Sequence, residues 1–599
     1  MNLRTLLTAT ACACALAPWA HAEPNPLRNA YFGETHMHTA LSLDAYIGGA
    51  RLMPSDSYRF AKGEPVLVNG RHKQLDRPLD FAAVSDHAEY LGEMVSAIFP
   101  DAPGHRSEDL ETLRNLQSLE DKQQWFFEYV VSNTRGANPQ HPPFYQGPET
   151  TKTGWQIIID AAEEHNDPGN FTAFIAFEWS AAPGGGNMHR NVIFRDGVVP
   201  DLPLDSFQTN VAEELWAWLE QTEAAGSTLL AVPHNSNASK GLMFPDVDSY
   251  GNPIDAAWVE SRNKWEPLIE MMQIKGNSEV HRAFWAADEF ADFENADTIQ
   301  KNSNRWFSKR DFVREGLKIG LAQEQVYGTN PNQMGFIGGT DSHNGLMSDV
   351  AEDDFIGGHG AEDGSVERRR TAGVGGWVDG PDLSIGSIGG VWAEENTRAA
   401  IWDAMKRRET FTTSGPRMTL RMFAGADLPV PADPVALVED GYAQGAPMGS
   451  VLEAGATAPS FTVHAEKDPM GANLDRIQII KGWVDAQGET HESIADVVWS
   501  DDRAPDPETG RLPAVGNTVD LTTGLYTNDI GATTLTGHWT DRDHDPAERA
   551  FYYARVLEIP TPRWTTYDAV RNDLPLLPEV RATIQERAWG SPIWFSPDK

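Results

Sequence analysis

The stretch "DFAAVSDH", residues 80–87, runs four apolar residues straight into a serine, Asp86 and His87. A short apolar run without alternation reads as a strand covered on both faces, the kind found in parallel sheets. The same form recurs along the chain. "FTAFIAFEWS" (171–180) runs into Glu178, and "STLLAVPHNSN" (227–237) into His234 and Asn235. "PLIEMMQIKGNSE" (267–279) ends in Ser278 and Glu279, and "GFIGGTDSH" (335–343) in Asp341 and His343. Upstream, "GETHMHTALSLDA" (33–45) places His36 and His38 at alternate positions with Asp44 just beyond.

Between these runs lie stretches with apolar residues every three to four positions, such as "SEDLETLRNLQSLEDKQQWFFEYVV" (107–131), "VAEELWAWLEQTEAAG" (211–226) and "KRDFVREGLKIGLAQ" (309–323). Strands alternating with helices imply a parallel sheet with crossovers. Polar residues gathered at the ends of five or more strands fit a β/α barrel, whose loops at that end build the site. An open doubly wound sheet would draw its site mainly from one switch point. The expected fold class is therefore α/β, a TIM-like barrel.

The chain has 599 residues, enough for more than one core. "MNLRTLLTATACACALAPWAHA" (1–22) has a basic start, an apolar middle and a small-x-small ending, and reads as a secretory signal peptide cut after Ala22. The barrel is expected over 23–417. Within it, residues 351–390, rich in glycine and charge and without periodicity, form a lid-like insert. From 418 to 599 the pattern turns to β, as in "SFTVHAE" and "FYYARVLEIP", and predicts a smaller C-terminal β-sandwich-like domain packed on the barrel.

Both cysteines, Cys12 and Cys14, lie in the signal segment, so the mature chain has no thiol ligand, thiol nucleophile or disulfide. A periplasmic or secreted protein without disulfides is held by its core, by metals or by both. With 87 acidic against 48 basic residues the formal charge is −39, which repels nucleic acid and anionic membranes. No internal apolar run approaches the ~20 residues of a membrane helix, so no membrane insertion is expected after signal removal. The oligomeric state is left open.

Six of the 17 histidines fall in or beside the strand-end motifs: His36, His38, His87, His189, His234 and His343. Asp44, Asp86, Glu178 and Asp341 accompany them. Imidazole and carboxylate together suit zinc, manganese or iron. Alternate residues of a strand point the same way, so His36 and His38 can reach one ion. A glutamate such as Glu178 has two oxygens and can bridge two cations.

"HMHTALSLD", "SDH", the strand-end Glu178, "PHN" and "DSH" resemble the polymerase-and-histidinol-phosphatase (PHP) superfamily of metal-dependent phosphoesterases. "SDHAEYLGE", "FIAFEWS", "HRNVIFR", "PHNSN", "GNSE", "TDSHNG" and "RRETFTTSGPR" look like an uncharacterised exported bacterial branch of it, in order over nearly the whole mature chain. The resemblance implies a distorted (β/α)7 barrel holding two or three divalent metal ions. It assigns His36, His38, Glu178 and Asp341 to a first ion. It assigns Glu178, His189 and His234 to a second, and Asp44, His87 and His343 to a third. Asp44 stands where many members have histidine, and Asp86 is expected to orient a ring.

A trinuclear site of this kind implies a small anionic ester as substrate and hydroxide between two metals attacking phosphorus, with the cations stabilising the transition-state charge. Glu178 is then catalytic as the bridge. Arg190 and Arg417 are candidates to clamp phosphoryl oxygens, with Arg195 a weaker one. Asn235 and Glu279 are candidate substrate contacts, and Trp392 and Arg398 candidate wall residues. Two alternatives stay open: hydrolysis of carboxylic or carbamate esters on the same site, and a non-catalytic module whose metals are structural. Arginines in the pocket favour phosphorus; an apolar pocket favours an aryl ester. The chain has no GxSxG elbow and no phosphate-cradling glycine-lysine loop.

Overall fold

A computed structural model describes residues 24–597 apart from 69, 135, 137, 304, 305, 375, 376, 427, 430–432, 455 and 456. The signal-peptide segment lies outside the described residues. Phe81–Val84 and Thr172–Trp179 are buried along their whole length. They sit side by side, parallel to each other, with Phe81 opposite Thr172, the fourth and third strands from one edge of the sheet. Asn29–Glu34 joins in parallel on the other flank, Gly33 facing Phe81. Each crossover is long enough to carry helices, among them Pro54–Ala61 and Pro148–His165, which cover the sheet.

Beyond Thr172–Trp179 the pairing reverses. Arg190–Phe194 runs antiparallel to it, Trp179 opposite Arg190, and Leu229–Pro233 runs antiparallel to Arg190–Phe194. The link between Trp179 and Arg190 is too short for a parallel connection, which takes about a dozen residues or more. On the opposite flank Ile388–Ala393 and Thr410–Thr413 also pair antiparallel. The fold is thus mixed α/β around one mixed sheet of 13 strands, where the apolar runs had suggested a parallel one.

No closed hydrogen-bonded barrel forms among the described residues, so the expected TIM-like ring is not confirmed. Leu268–Glu270 and Gly335–Ile337 make a separate parallel pair. That pair packs beside Leu229–Pro233 on one side and beside Thr410–Thr413 on the other, without a ladder to either. Strands of three residues carry too few backbone groups to zip both edges.

The same large sheet continues past residue 418. Phe411 faces Gly590, and Arg587–Gly590, Arg549–Glu558 and Leu474–Val484 follow in turn. A four-stranded sheet built on Thr419–Gly425, Ser460–Glu466 and Thr534–Thr540 packs against this end, Phe461 and Tyr552 meeting with ring centroids 4.5 Å apart. Residues 351–390 hold a short helix, Val366–Thr371, and two paired two-residue strands whose Val374 and Val378 pack with Leu383 and Trp564. No helix among the described residues is long and apolar enough to cross a membrane.

Candidate metal centre

The strand directions put six chain segments at one rim. Asn29–Glu34 leads into His36 and His38, Phe81–Val84 into His87, and Gly335–Ile337 into Asp341 and His343. Glu178 is the penultimate residue of its strand, and His234 follows Leu229–Pro233. Because Arg190–Phe194 runs backwards, its starting end lies at the same rim and brings His189 there. Backbone bonds lace the loops together: His38 N–H donates to the Ser342 carbonyl at 3.0 Å, Asp341 N–H to His36 at 2.9 Å, and Glu178 N–H to Asp86 at 3.1 Å.

Three ligand groups result, each with its donor atoms within 4.8 Å of one another: His36, His38 and Glu178; Glu178, His189 and His234; and His38, His87 and His343. Glu178 is shared by the first two. Its Oε2 lies 3.3 Å from His36 Nε2 and 3.0 Å from His38 Nε2. Its Oε1 lies 2.5 Å from His189 Nδ1 and 3.2 Å from His234 Nε2. Asp341 Oδ1 adds itself to the first group, 3.4 Å and 3.2 Å from the same two Nε2 atoms. Asp44 Oδ2 sits 3.2 Å from His87 Nε2 and 3.1 Å from His343 Nε2. All nine side chains expected as ligands therefore meet at one place.

The protons on four of the rings are committed elsewhere. His36 Nδ1 donates to Glu270 Oε2 at 2.9 Å, and His343 Nδ1 to the Asp341 carbonyl at 2.7 Å. The Ser42 hydroxyl gives its hydrogen to Asp86, so it accepts from His38 Nδ1 at 2.9 Å. Ser180 gives its hydrogen to Glu178 and accepts from His87 Nδ1 at 2.6 Å. The four Nε2 lone pairs then face carboxylate oxygens, lone pair against lone pair. A buried arrangement of that kind is costly unless a cation lies between. His234 Nδ1 is buried with no hydrogen-bond partner among the described residues. The donor set thus fits divalent metal ions.

The electrostatics express the same demand for positive charge. Burial opposes ionisation of Glu178, yet the His87, His234 and His189 rings hold its carboxyl well below the usual range. Asp341 is likewise buried, and Lys275 and His36 hold it low. For Asp44, His343 and His87 outweigh burial in the same way. Burial pulls His36 down, but Asp341 and Glu270 raise it well above the ordinary imidazole value. Burial wins at His189 and His343, both lowered to about 4.

An outer layer holds these groups still. Asp86 accepts from Thr39 N–H at 2.7 Å, from Thr39 Oγ1 at 2.6 Å and from Ser42 Oγ at 2.6 Å, so it steadies His38 through the serine. Asp341 Oδ2 accepts from Gln273 Nε2 at 2.5 Å and pairs with Lys275. Asp341 and Asn235 both adopt left-handed backbone, φ 53° and 50°, a strain that aspartate and asparagine tolerate best. Behind the rings, a Cβ on Gly339 would lie 2.6 Å from the His36 Cβ and 2.7 Å from Glu270 Oε2, so only glycine fits there.

The cluster opens into a cavity of about 350 Å3. Its lining combines His87, His189, Asn235 and Lys275 with the apolar Ile47, Phe126, Phe127 and Val131, and Trp377, His359 and Glu362 reach it from the 351–390 segment. Among the described lining residues, Lys275 is the one permanent cation.

Several sequence candidates are held away from this cavity. Arg190 pairs with Glu266 at 3.0 Å and donates to the Met188 carbonyl at 2.6 Å, fully buried on the far face of its strand. Arg195 is in a bidentate pair with Asp403 at 2.7 and 2.8 Å. Arg417 donates to the Pro78 and Arg77 carbonyls at 2.8 and 2.7 Å. Glu279 is locked in a buried network with Arg314, Arg555, Tyr553 and Trp589. Trp392 lies opposite Ala30, at the end of the strand remote from His36, with Arg421 stacked on it at 3.5 Å. Arg398 donates to Ala173 at 2.5 Å, at the remote end of the Glu178 strand. Of the expected substrate contacts, Asn235 alone lines the cavity. Glu270, Gln273, Lys275, Phe127 and Trp377 were not singled out from sequence; Glu270 carried the same signal as Glu178, a carboxylate closing a buried apolar run.

The model of a family described as "Protein of unknown function (DUF3604)" matches residues 25–597. No curated protein matches the chain. Among solved structures, the chain is similar to a two-domain protein containing predicted PHP-like metal-dependent phosphoesterase from Bacteroides vulgatus ATCC 8482. Identity is 10%, coverage 94% of this chain and 97% of that one, and the TM-score 0.29.

Proposed function

The chain belongs to the DUF3604 family, and on that premise we propose that it is an exported metal-dependent hydrolase of small anionic esters, phosphate esters first, with two or three ions held at the rim. The carrying observation is Glu178, whose two oxygens face four rings on opposite sides, His36 and His38 at Oε2, His189 and His234 at Oε1. A carboxylate so placed would be able to serve two cations, one on each oxygen. The motif resemblance to the PHP superfamily supports the same reading, including its distorted barrel, which the strand pair beside Leu229–Pro233 and Thr410–Thr413 would complete.

Zinc, manganese or iron at this donor set supplies Lewis acidity and water ionised near neutral pH. The chain's own part is to hold and to exclude. Glu270 and the Ser42–Asp86 pair fix the tautomers of His36 and His38, keeping both Nε2 atoms turned inward. Lys275, which lines the cavity while paired with Asp341, would offer a positive contact to an anionic oxygen, and Asn235 lines the same cavity. Phe126, Val131 and Trp377 exclude water around the reacting group. The acidic surface favours a small-molecule partner over nucleic acid.

A second reading, hydrolysis of a carboxylic or carbamate ester, is favoured by one observation: no arginine lines the cavity among the described residues. A purely structural metal site is disfavoured because the cavity reaches Asp44, His87 and His189, and structural sites are normally closed. The test is elemental analysis of the purified protein beside a screen of phosphomonoesters, phosphodiesters and carboxylic esters, with and without chelator. Chelator-sensitive turnover that His38→Ala abolishes while the fold persists supports the proposal. Stoichiometric metal with no turnover of any ester overturns it.

A further inference from the structure

The apolar part of the cavity lining has a composition that the metal chemistry does not explain. Leu119–Phe126 is α-helical, and the next turn, Phe127–Val131, is π-helical. Such wide turns are uncommon and gather at functional sites. The helix brings Phe126, and the wide turn Phe127 and Val131, to the cavity, which Ile47 and Trp377 also line. Phe127 is 63% exposed although nothing polar requires it there. The Trp377 ring lies 5.9 Å from Lys275 Nζ, so an aromatic face and a positive charge adjoin at one point of the wall.

We infer that this site takes an anionic ester whose organic group is a single aromatic ring, gripped between the Phe127 turn and Trp377, with the charged head toward Lys275 and the ligand cluster. The inference rests on the hydrolase reading and names its substrate class. Volume agrees: a cavity of about 150 Å3 already holds benzene, so about 350 Å3 has room for a ring and an ester head. Chemistry agrees as well. On the helical wall Gln123 is the one polar residue among those lining the cavity. Along that wall a sugar or nucleoside would meet one polar side chain, whereas an aromatic ring meets matching apolar surface. Burying a phenyl group against such a wall strengthens binding by roughly ten- to hundred-fold.

The test uses the metal-loaded full chain and two matched pairs of probes. Benzylphosphonate and ethylphosphonate report binding by calorimetry. Benzyl phosphate and ethyl phosphate, whose leaving groups have similar basicity, report kcat/KM. The expected result is a benzyl-over-ethyl preference of about tenfold or more in both assays. Phe127→Ala and Trp377→Ala reduce that ratio about tenfold, Phe127→Leu restores most of it, and Phe99→Ala, an exposed phenylalanine outside the cavity, leaves it intact. Equal binding of the two phosphonates, or a ratio unmoved by Phe127→Ala, overturns the inference. Selective benzylphosphonate binding without turnover of any ester keeps the aromatic wall and removes the hydrolase reading; turnover without benzyl preference does the reverse.

Discussion

Glu270 Oε2 stands 2.9 Å from His36 Nδ1, both fully buried, at the end of a three-residue strand that pairs with the strand leading to Asp341. The contact holds the ring proton on Nδ1 and leaves Nε2 for a cation. Partners of this kind govern metal affinity by about 10–100-fold. Glu270→Ala is therefore expected to weaken metal binding by that factor, read by competition with a chromophoric chelator. Glu270→Gln keeps an acceptor oxygen and loses less. An unchanged affinity for the alanine variant would remove the tautomer argument.

Asp86 acts one step further back. Its three accepted bonds are charge-assisted, and each such bond contributes about 1.5–3 kcal/mol. Asp86→Ala should lower stability in urea by about 3 kcal/mol or more and reduce metal content together. Ser42→Ala, which removes the link to His38, one of the three bonds to Asp86 and the acceptor of the His87 N–H, should cost less stability than Asp86→Ala and still reduce metal content. Metal content at the wild-type level in both variants would contradict the relay.

Removing the ions leaves the lone pairs of four rings facing carboxylates. A chelator is expected to lower the thermal midpoint, and zinc or manganese to restore it. At metal concentrations about 1,000 times the dissociation constant, the linked stabilisation is about 4 kcal/mol. A midpoint indifferent to chelator would mean that protons alone satisfy the cluster.

Away from the cluster, Asp311 is buried beneath the loop following His234, accepting from Ser239 Oγ at 2.8 Å and from Ser308 N–H at 2.6 Å. Burial pushes its carboxyl up to about 7. Between about pH 4 and 7 the folded chain keeps a proton there that the unfolded chain has released, so stability falls as pH rises through that window. The unfolding free energy of the wild type relative to Asp311→Asn should drop by up to about 4 kcal/mol from pH 4 to pH 8. A difference that is flat across this range would be inconsistent with the raised value.

Arg190 and Arg417 are expected to behave as structural residues. Arg190→Ala strands Glu266, a buried carboxylate also held by Arg262 and Trp216. The loss should be about 3–5 kcal/mol. Arg417→Ala should leave metal content and the chelator response as in the wild type. A selective loss of turnover in a fully folded Arg417→Ala chain would return that residue to the site.

Most of the expected ligands were legible because they close or directly follow an apolar strand, a pattern that survives any arrangement of the strands; His189 instead precedes its strand and Asp44 lies in the short helix Leu43–Gly48. The arginines were misjudged for a reason also visible in the chain: side chains alternate along a strand, so with His189 facing the cluster, Arg190 has to face away. The reversal of strand direction was readable too, from the short link between Trp179 and Arg190. Glu279 sits two residues after the two-residue strand Gly276–Asn277, in irregular chain where no period fixes a face. Phe127 could not be singled out, because its aromatic neighbours in sequence, Trp125 and Phe126, look the same and Trp125 is core, and Trp377 stands alone in a glycine-rich stretch without period.

The backward strand has a kinetic consequence. His234 and Glu178 are 56 positions apart, with His189 between them, whereas His343 and Asp44 are separated by 299. Short loops close at lower entropic cost and sooner than long ones. During folding, the antiparallel segment from Thr172 to His234 can present a three-donor berth while His343 is still about a hundred residues of loose chain away, so a first ion captured there would serve as a template on which the remaining loops assemble.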